Sequence, residues 1–281
     1  MFGRRFTPAR TEEQLACMRR AGLLVGRTLQ ALQEAVRPGV TTLELDSLAE
    51  DIIRSSGGIP NFQLVPGYRH TLCTSVNEEV VHGIPSGRTL HEGDLLSIDC
   101  GAQLDGWNGD AAISVIVGGP DAARPEDLRL IEVTEQALWA GIKALQVGQR
   151  LYAVGEAVEA AVEAAGSVDG RRFGIVEEYV GHGIGRSMHE DPQIPNYAVR
   201  DRGPVVSSGF TGAIEPMVTL GRNDTRVLAD DWTVVTTDGE RAAHWEHSVA
   251  VTDAGLTVLT ALDGGASRLS GVSAGYASLD A

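Results

Sequence analysis

Cysteine, positive charge and long apolar runs are all scarce in this sequence. Its 281 residues hold three cysteines, Cys17, Cys73 and Cys100, odd in number and scattered. Such a set argues against a disulfide framework and for a reducing, cytoplasmic compartment, and with no C-x-x-C pair a thiolate zinc site is not expected. The longest apolar runs, such as Ala21 to Val25, are far too short to span a bilayer. The opening "MFGRRFTPAR" has basic residues with no apolar run behind them, so no secretory leader is expected. Lysine and arginine number 23 against 38 acids, for a formal net charge of −15. An acidic surface repels duplex phosphates, so no direct nucleic-acid binding is expected. Acids in this excess are mostly solvated surface, but they leave carboxylates to spare for metal ligation.

Hydrophobic residues at 43% and charged residues at 22% are enough to bury a sizeable core. Thr11-x-x-Gln14 is a capping box, and Leu15, Met18, Gly22, Val25, Leu29, Leu32 and Val36 follow on one helical face until Pro38-Gly39. Thr41-x-x-Glu44 opens a second helix with Leu45, Leu48 and Ile52. Residues 37–53 align with residues 146–162 at an offset of 109, placing Gly39 over Gly148, and a helix of similar phase precedes each. Strand-like runs follow both helix pairs, at 71–76, 94–104, 107–117, 211–220, 232–238 and 244–252. Helices followed by strands, twice, predict an α+β fold of two related halves, about 10–120 and 121–262, sharing one site across a pseudo-twofold axis. The competing explanation is chance similarity of two helix–turn–helix units. The Gly/Ser/Ala-rich residues 263–281 are expected to form a flexible tail.

Four carboxylates sit in apolar, strand-like settings. In "SIDCGAQLDGWNGD", Asp105-Gly106 is a strong type I′ hairpin turn. It sets Gly101 opposite Asp110, so Asp99 and Asp110 share a sheet face as diagonal neighbours, close enough for one or two cations. Two acids on one face repel unless a cation lies between them; alternatively both face water. Glu215 in "GAIEPMVTL" and Glu246 in "HWEHSVAVT" are equally out of place. With His182 in "YVGHGIGRSMHE" they make an oxygen-rich set suited to two divalent ions of Co, Mn, Fe or Zn, and to hydrolysis. "GHGIGR" has neither P-loop lysine nor dinucleotide-fingerprint spacing, so a nucleotide site is not expected.

"NEEVVHGIP", "SIDCGAQLDGWNGD", "GHGIGRSMHEDP", "AIEPMV" and "EHSVAVT", in that order, resemble type I methionine aminopeptidases of the pita-bread fold. That fold is a central curved antiparallel sheet covered by helices. The resemblance runs from about residue 10 to 255. Related Xaa-Pro peptidases tend to have glycine where this chain has Met217, and another residue where it has His247.

The resemblance implies a metal-dependent aminopeptidase that removes initiator methionine ahead of small second residues. Asp99, Asp110, His182, Glu215 and Glu246 look like the metal ligands, with Asp110 and Glu246 bridging. A metal-activated water or hydroxide would attack the scissile carbonyl, with Glu215 as general base and acid. His189 is similar to the histidine that binds the carbonyl oxygen, and His82 to the one that contacts the scissile nitrogen. Tyr68, Cys73 and Trp232 match the methionine pocket. Phe62 and Val65 stand where bacterial relatives often have cysteine and tyrosine, and Met188 where an aromatic is usual. Substrates would be nascent-chain N-termini at the ribosome, met by a monomer away from membranes. The alternatives are a pita-bread peptidase or amidohydrolase of altered preference, and an inactive protein- or RNA-binding relative. His70, His91 and His244 have no comparable context and are left as surface or structural.

Overall fold

The computed structural model describes residues 9–269 and 275–279. Helix α1 (Glu12–Ala35) and helix α2 (Thr42–Ser55) begin at the two expected capping boxes. In each, the threonine side chain accepts from the third helical N–H, and the Gln or Glu there reaches back to the cap N–H. The second helix pair is α3 (Pro125–Ala144) and α4 (Ala153–Asp169). A short α5 (Ala266–Leu269) lies near the end of the chain.

The strands of the first half are β1 (Ile59–Pro60), β2 (Leu72–Val76), β3 (Glu79–Val81), β4 (Leu95–Leu104) and β5 (Trp107–Ile116). Between α4 and the next long strands come β6 (Gly174–Ile175), β7 (Gly181–Gly183) and β8 (Glu190–Ile194). Then follow β9 (Phe210–Ile214), β10 (Met217–Thr219), β11 (Thr225–Val227), β12 (Val234–Thr236), β13 (Ala242–His244), β14 (Glu246–Thr252) and β15 (Gly255–Val258). The main sheet is antiparallel, ordered β1-β4-β5-β14-β9-β7-β8, with β2 also on β4 and β15 on β14. Two three-stranded sheets, β13-β10-β6 and β11-β12-β3, complete the frame.

The strands at 72–76, 95–104 and 107–116 lie where the sequence puts them, and three later ones are shorter or broken. The expected strand 211–220 stops at Glu215-Pro216, where proline has no N–H for a ladder. Its halves, β9 and β10, join different sheets. The expected strand 244–252 breaks at Trp245 in the same manner, giving β13 and β14. The two breaks face each other: Ile214 pairs with His247, Met217 with His244, and Trp245 N–H donates to Pro216 O at 3.3 Å. Only Val234–Thr236 of residues 232–238 is strand.

Helix α1 crosses β5 at two glycines. A Cβ on Gly22 would lie 2.2 Å from Leu259 O, and one on Gly109 would lie 2.9 Å from Gly22 Cα. Behind the helices, one core gathers α1, α2 and the outer faces of β4 and β5, including Ile98 and Cys100, both fully buried. A second gathers α3, α4, β9 and β14.

The tail is more fixed than its composition suggests. Val258 N–H donates to Gly264 O and Leu269 is fully buried. Residues 275–279 lie against β15, where Leu256 N–H donates to Gly275 O at 3.0 Å and Ala277 N–H to Leu256 O at 2.8 Å. Leu269 and Ala277 are apolar anchors that a Gly/Ser count overlooks. The expectation of flexibility for 270–274, 280 and 281 falls outside the described residues.

Candidate active site and metal centre

The Asp105-Gly106 turn has the positive φ angles, 51° and 74°, of a type I′ hairpin. It fixes the expected register: Leu104 opposite Trp107, Gln103 opposite Asn108, and Gly101 opposite Asp110. From that register the site builds as two adjacent rows across the sheet. In one, Asp99 faces Ala112 and Ala112 faces Glu246; continuing from the Ile214–His247 pair puts Glu215 opposite Glu246. In the other, Gly101 faces Asp110, Ser248 faces Ala213, and Ala213 faces His182. Ser248 joins Asp110 to that row, its Oγ accepting from Asp110 N–H at 3.0 Å and donating to Asp110 O at 2.7 Å. Residues two apart on a strand point to the same face, roughly 7 Å along it. All four acids and His182 therefore converge on one side, with only Gly, Ala and Ser filling the rows between them. Small neighbours leave the space above the sheet to the carboxylates.

Asp110, His182 and Glu246 offer ligand atoms within 4.8 Å of one another, and His182 Nε2 lies 3.5 Å from Glu215 Oε1. Asp99 Oδ1, Asp110 Oδ1 and Glu246 Oε1 are buried with no hydrogen-bond partner. Native interiors rarely leave carboxylate oxygens so exposed to one another and so poorly satisfied. Burial pushes Asp99 up to about 7. Asp110 is raised well above the carboxylate range by burial, then by Asp99 and Glu215; Glu215 by burial and Asp99; Glu246 by burial, then Asp110, Glu215 and Asp99. Divalent cations remove this penalty, and the donors present, four carboxylates and an imidazole, are those that hard or borderline ions prefer. The residues fit a divalent metal centre. His182 suits it too: burial, then His189, brings its pKa down to about 4. Its Nδ1 lies 2.9 Å from Gly183 O, an acceptor, so Nδ1 carries the proton and Nε2 keeps its lone pair toward Glu215.

The other expected site residues line the same cleft, of about 160 Å³: Phe62, Val65, Tyr68, Cys73, His82, Met188, His189 and Trp232. Tyr68 is the pivot of the apolar wall. Its ring meets Phe62 edge-on at 6.4 Å and Trp232 at 4.9 Å, while its hydroxyl donates to Leu72 O at 2.7 Å. His82 has a φ of 60°, uncommon for a side-chain-bearing residue, and stacks edge-on against Tyr179 at 5.4 Å. Burial, then His189, lowers its pKa to about 4. His189 is set edge-on to His182 at 4.4 Å, and partial burial at the cleft rim lowers its pKa as well. Its loop is tied down next door, where Glu190 pairs with Arg10 and accepts from Ser187 N–H.

Sequence reasoning passed over Val81 and Ile84, which line or pack against the cleft, and Tyr179. Tyr179 opens the motif that holds His182, but nothing in its sequence setting shows that it meets His82. His244, left as surface or structural, is 1% exposed and 4.0 Å from Glu246. His91 is exposed, and His70 faces the buried Asp46 at 3.3 Å.

The profile of metallopeptidase family M24 matches residues 16–253. The chain is 52% identical to methionine aminopeptidase 1 of Mycobacterium tuberculosis over 92% of its own length and 96% of that protein's. It is 44% identical to methionine aminopeptidase 1 of Bacillus subtilis, over 89% and 98% of the two chains. The crystal structure of methionine aminopeptidase from Thermotoga maritima matches with a TM-score of 0.84 at 39% identity, covering 90% of this chain and 98% of that one. The fold is the pita-bread fold, and the chain belongs to metallopeptidase family M24, among its type I methionine aminopeptidases.

Proposed function

We propose that this enzyme removes the N-terminal methionine of nascent proteins and peptides whose second residue is small. The observation that carries this reading is the cleft itself: a floor of unsatisfied carboxylates beneath a wall of Phe62, Tyr68, Cys73 and Trp232. An unbranched thioether side chain suits such a wall.

Asp99, Asp110, His182, Glu215 and Glu246 would hold two divalent ions of Co, Mn, Fe or Zn. Bound there, such ions lower the pKa of water and polarise a carbonyl. Glu215 takes the proton released as water adds to the scissile carbonyl and delivers it to the departing amine. His189 donates to the oxygen on which charge develops, and His82 holds the scissile nitrogen. Met188, Phe62 and Val65 close the pocket around the methionine side chain.

We assign the activity to a cytoplasmic monomer working on chains near the ribosome. The three cysteines are free and no helix among the described residues is long and apolar enough to cross a membrane, which agrees with that setting. We read residues 1–262 as one catalytic domain of two related halves. Two loops support this. Gly39 and Gly148 both have positive φ, and each begins the same exchange: Gly39 N–H to Leu90 O with Leu90 N–H to Val40 O, and Gly148 N–H to Val206 O with Val206 N–H to Gln149 O.

The test is steady-state hydrolysis of Met-Ala-Ser and its acetylated form with each metal, alongside Leu, norleucine and Pro at the first position. Cleavage of the free methionyl peptide alone is expected. No turnover with any divalent metal would sink the reading, and preferred cleavage of another first residue would favour an altered specificity.

A further inference from the structure

His244 ends β13, one residue before the break that sends the chain into β14. Its side chain is buried, and its Nε2 has no hydrogen-bond partner. Glu246 Oε2 lies 4.0 Å away, while Glu246 Oε1, on the same carboxylate, is also buried without a partner. The backbone that aims the ring is fixed on both sides. His244 N–H donates to Ser114 Oγ at 2.9 Å, Ser114 Oγ donates to His244 O at 2.9 Å, and His244 pairs with Met217 across β10. Ser114 Oγ is itself 2.8 Å from Ser97 Oγ.

A separation of 4.0 Å is too long for a hydrogen bond and too short to admit a water. A shift of about 1 Å in either side chain would close it. The two atoms are complementary, since an imidazole N–H is a donor and a carboxylate accepts only. Carboxylates that ligate metal are commonly held from behind by such a donor, which fixes their orientation.

We propose that His244 is a positioning residue for the metal-binding carboxylate: in the metal-loaded protein its Nε2–H donates to Glu246 Oε2 and fixes the carboxylate's orientation. This rests on the metal-centre reading above. His244 Nε2 is outside the group of atoms that Asp110, His182 and Glu246 bring together, so the role is donor rather than ligand.

The test strips the protein of metal and titrates it with zinc by calorimetry, comparing the parent with His244→Leu and His244→Gln. Leucine is expected to weaken binding ~10–100-fold, the usual effect of losing such a partner, and glutamine, which keeps a donor, to restore most of it. In the unsubstituted zinc-loaded protein, imidazole ¹⁵N–¹H spectra should show a proton on His244 Nε2, a readout that does not depend on a variant folding. Parent-like zinc affinity in folded His244→Leu would overturn the proposal alone, as would an Nε2 that carries no proton because it binds zinc itself. A parent protein that takes up no zinc would overturn the metal-centre reading and this proposal with it.

Discussion

His182 on β7 and His189 just before β8 are seven residues apart, and the work proposed for them differs with their surroundings. His182 is buried, with its proton committed to Gly183 O; His189 is exposed at the rim, within the same cleft. Changing His189→Ala should therefore lower turnover by ~10²–10³-fold, the scale for losing one donor to a developing oxyanion, and leave metal content unchanged by elemental analysis. Asp110→Asn should do the reverse in kind: with a proposed ligand weakened, metal content is expected to fall before any assay of turnover. Full occupancy in that variant would refute the ligand role. At this scale the sequence was most legible where a residue breaks its local pattern. An acid among alternating apolar residues is costly unless something compensates it, so Asp99, Asp110, Glu215 and Glu246 stand out. His244 does not, because nothing in "HWEH" distinguishes the imidazole that faces a carboxylate from one that packs in a core.

Among the elements, the β4–β5 hairpin was readable residue by residue because its turn chemistry fixes the register. The broken strands were not. Proline announces the break at Glu215-Pro216, but Trp245 carries no such mark; that break follows from pairing with a distant partner. Gly22 shows how packing can reverse a local rule. Gly→Ala inside a helix ordinarily gains about 1 kcal/mol. Here the new methyl would sit 2.2 Å from a backbone oxygen of Leu259, which cannot rotate away. We expect Gly22→Ala to destabilise the protein by about 1–3 kcal/mol, the usual cost of overpacking, measured by urea unfolding of the metal-loaded protein. A gain in stability would mean that α1 can lift from β5.

For the whole molecule, the clustered acids couple folding to pH. Their pKa values are raised in the folded state, Asp99 to about 7, so folding takes up protons. The contribution of Asp99 to stability is fully present below the unfolded value of about 4 and is lost as pH rises through about 7, and the other three acids act in the same direction. Stripped of metal, the protein should become less stable across that window in chelator-containing urea titrations. Restoring metal should reverse the trend and add about 2.7 kcal/mol at a hundredfold excess over Kd. A metal-free protein whose stability climbs between those pH values would contradict the charge arrangement described here.

Two of the five candidate ligands, Asp99 and Asp110, precede the connection between Val117 and Pro125; the other three follow it. A chain cut within that connection would yield one piece with two carboxylates and another with an imidazole and two. Neither brings all five donors together, so each is expected to lose an ion to a chelator that the reunited pieces withstand. Metal capture thus becomes a reporter of fragment complementation, lighting up only when both pieces have docked.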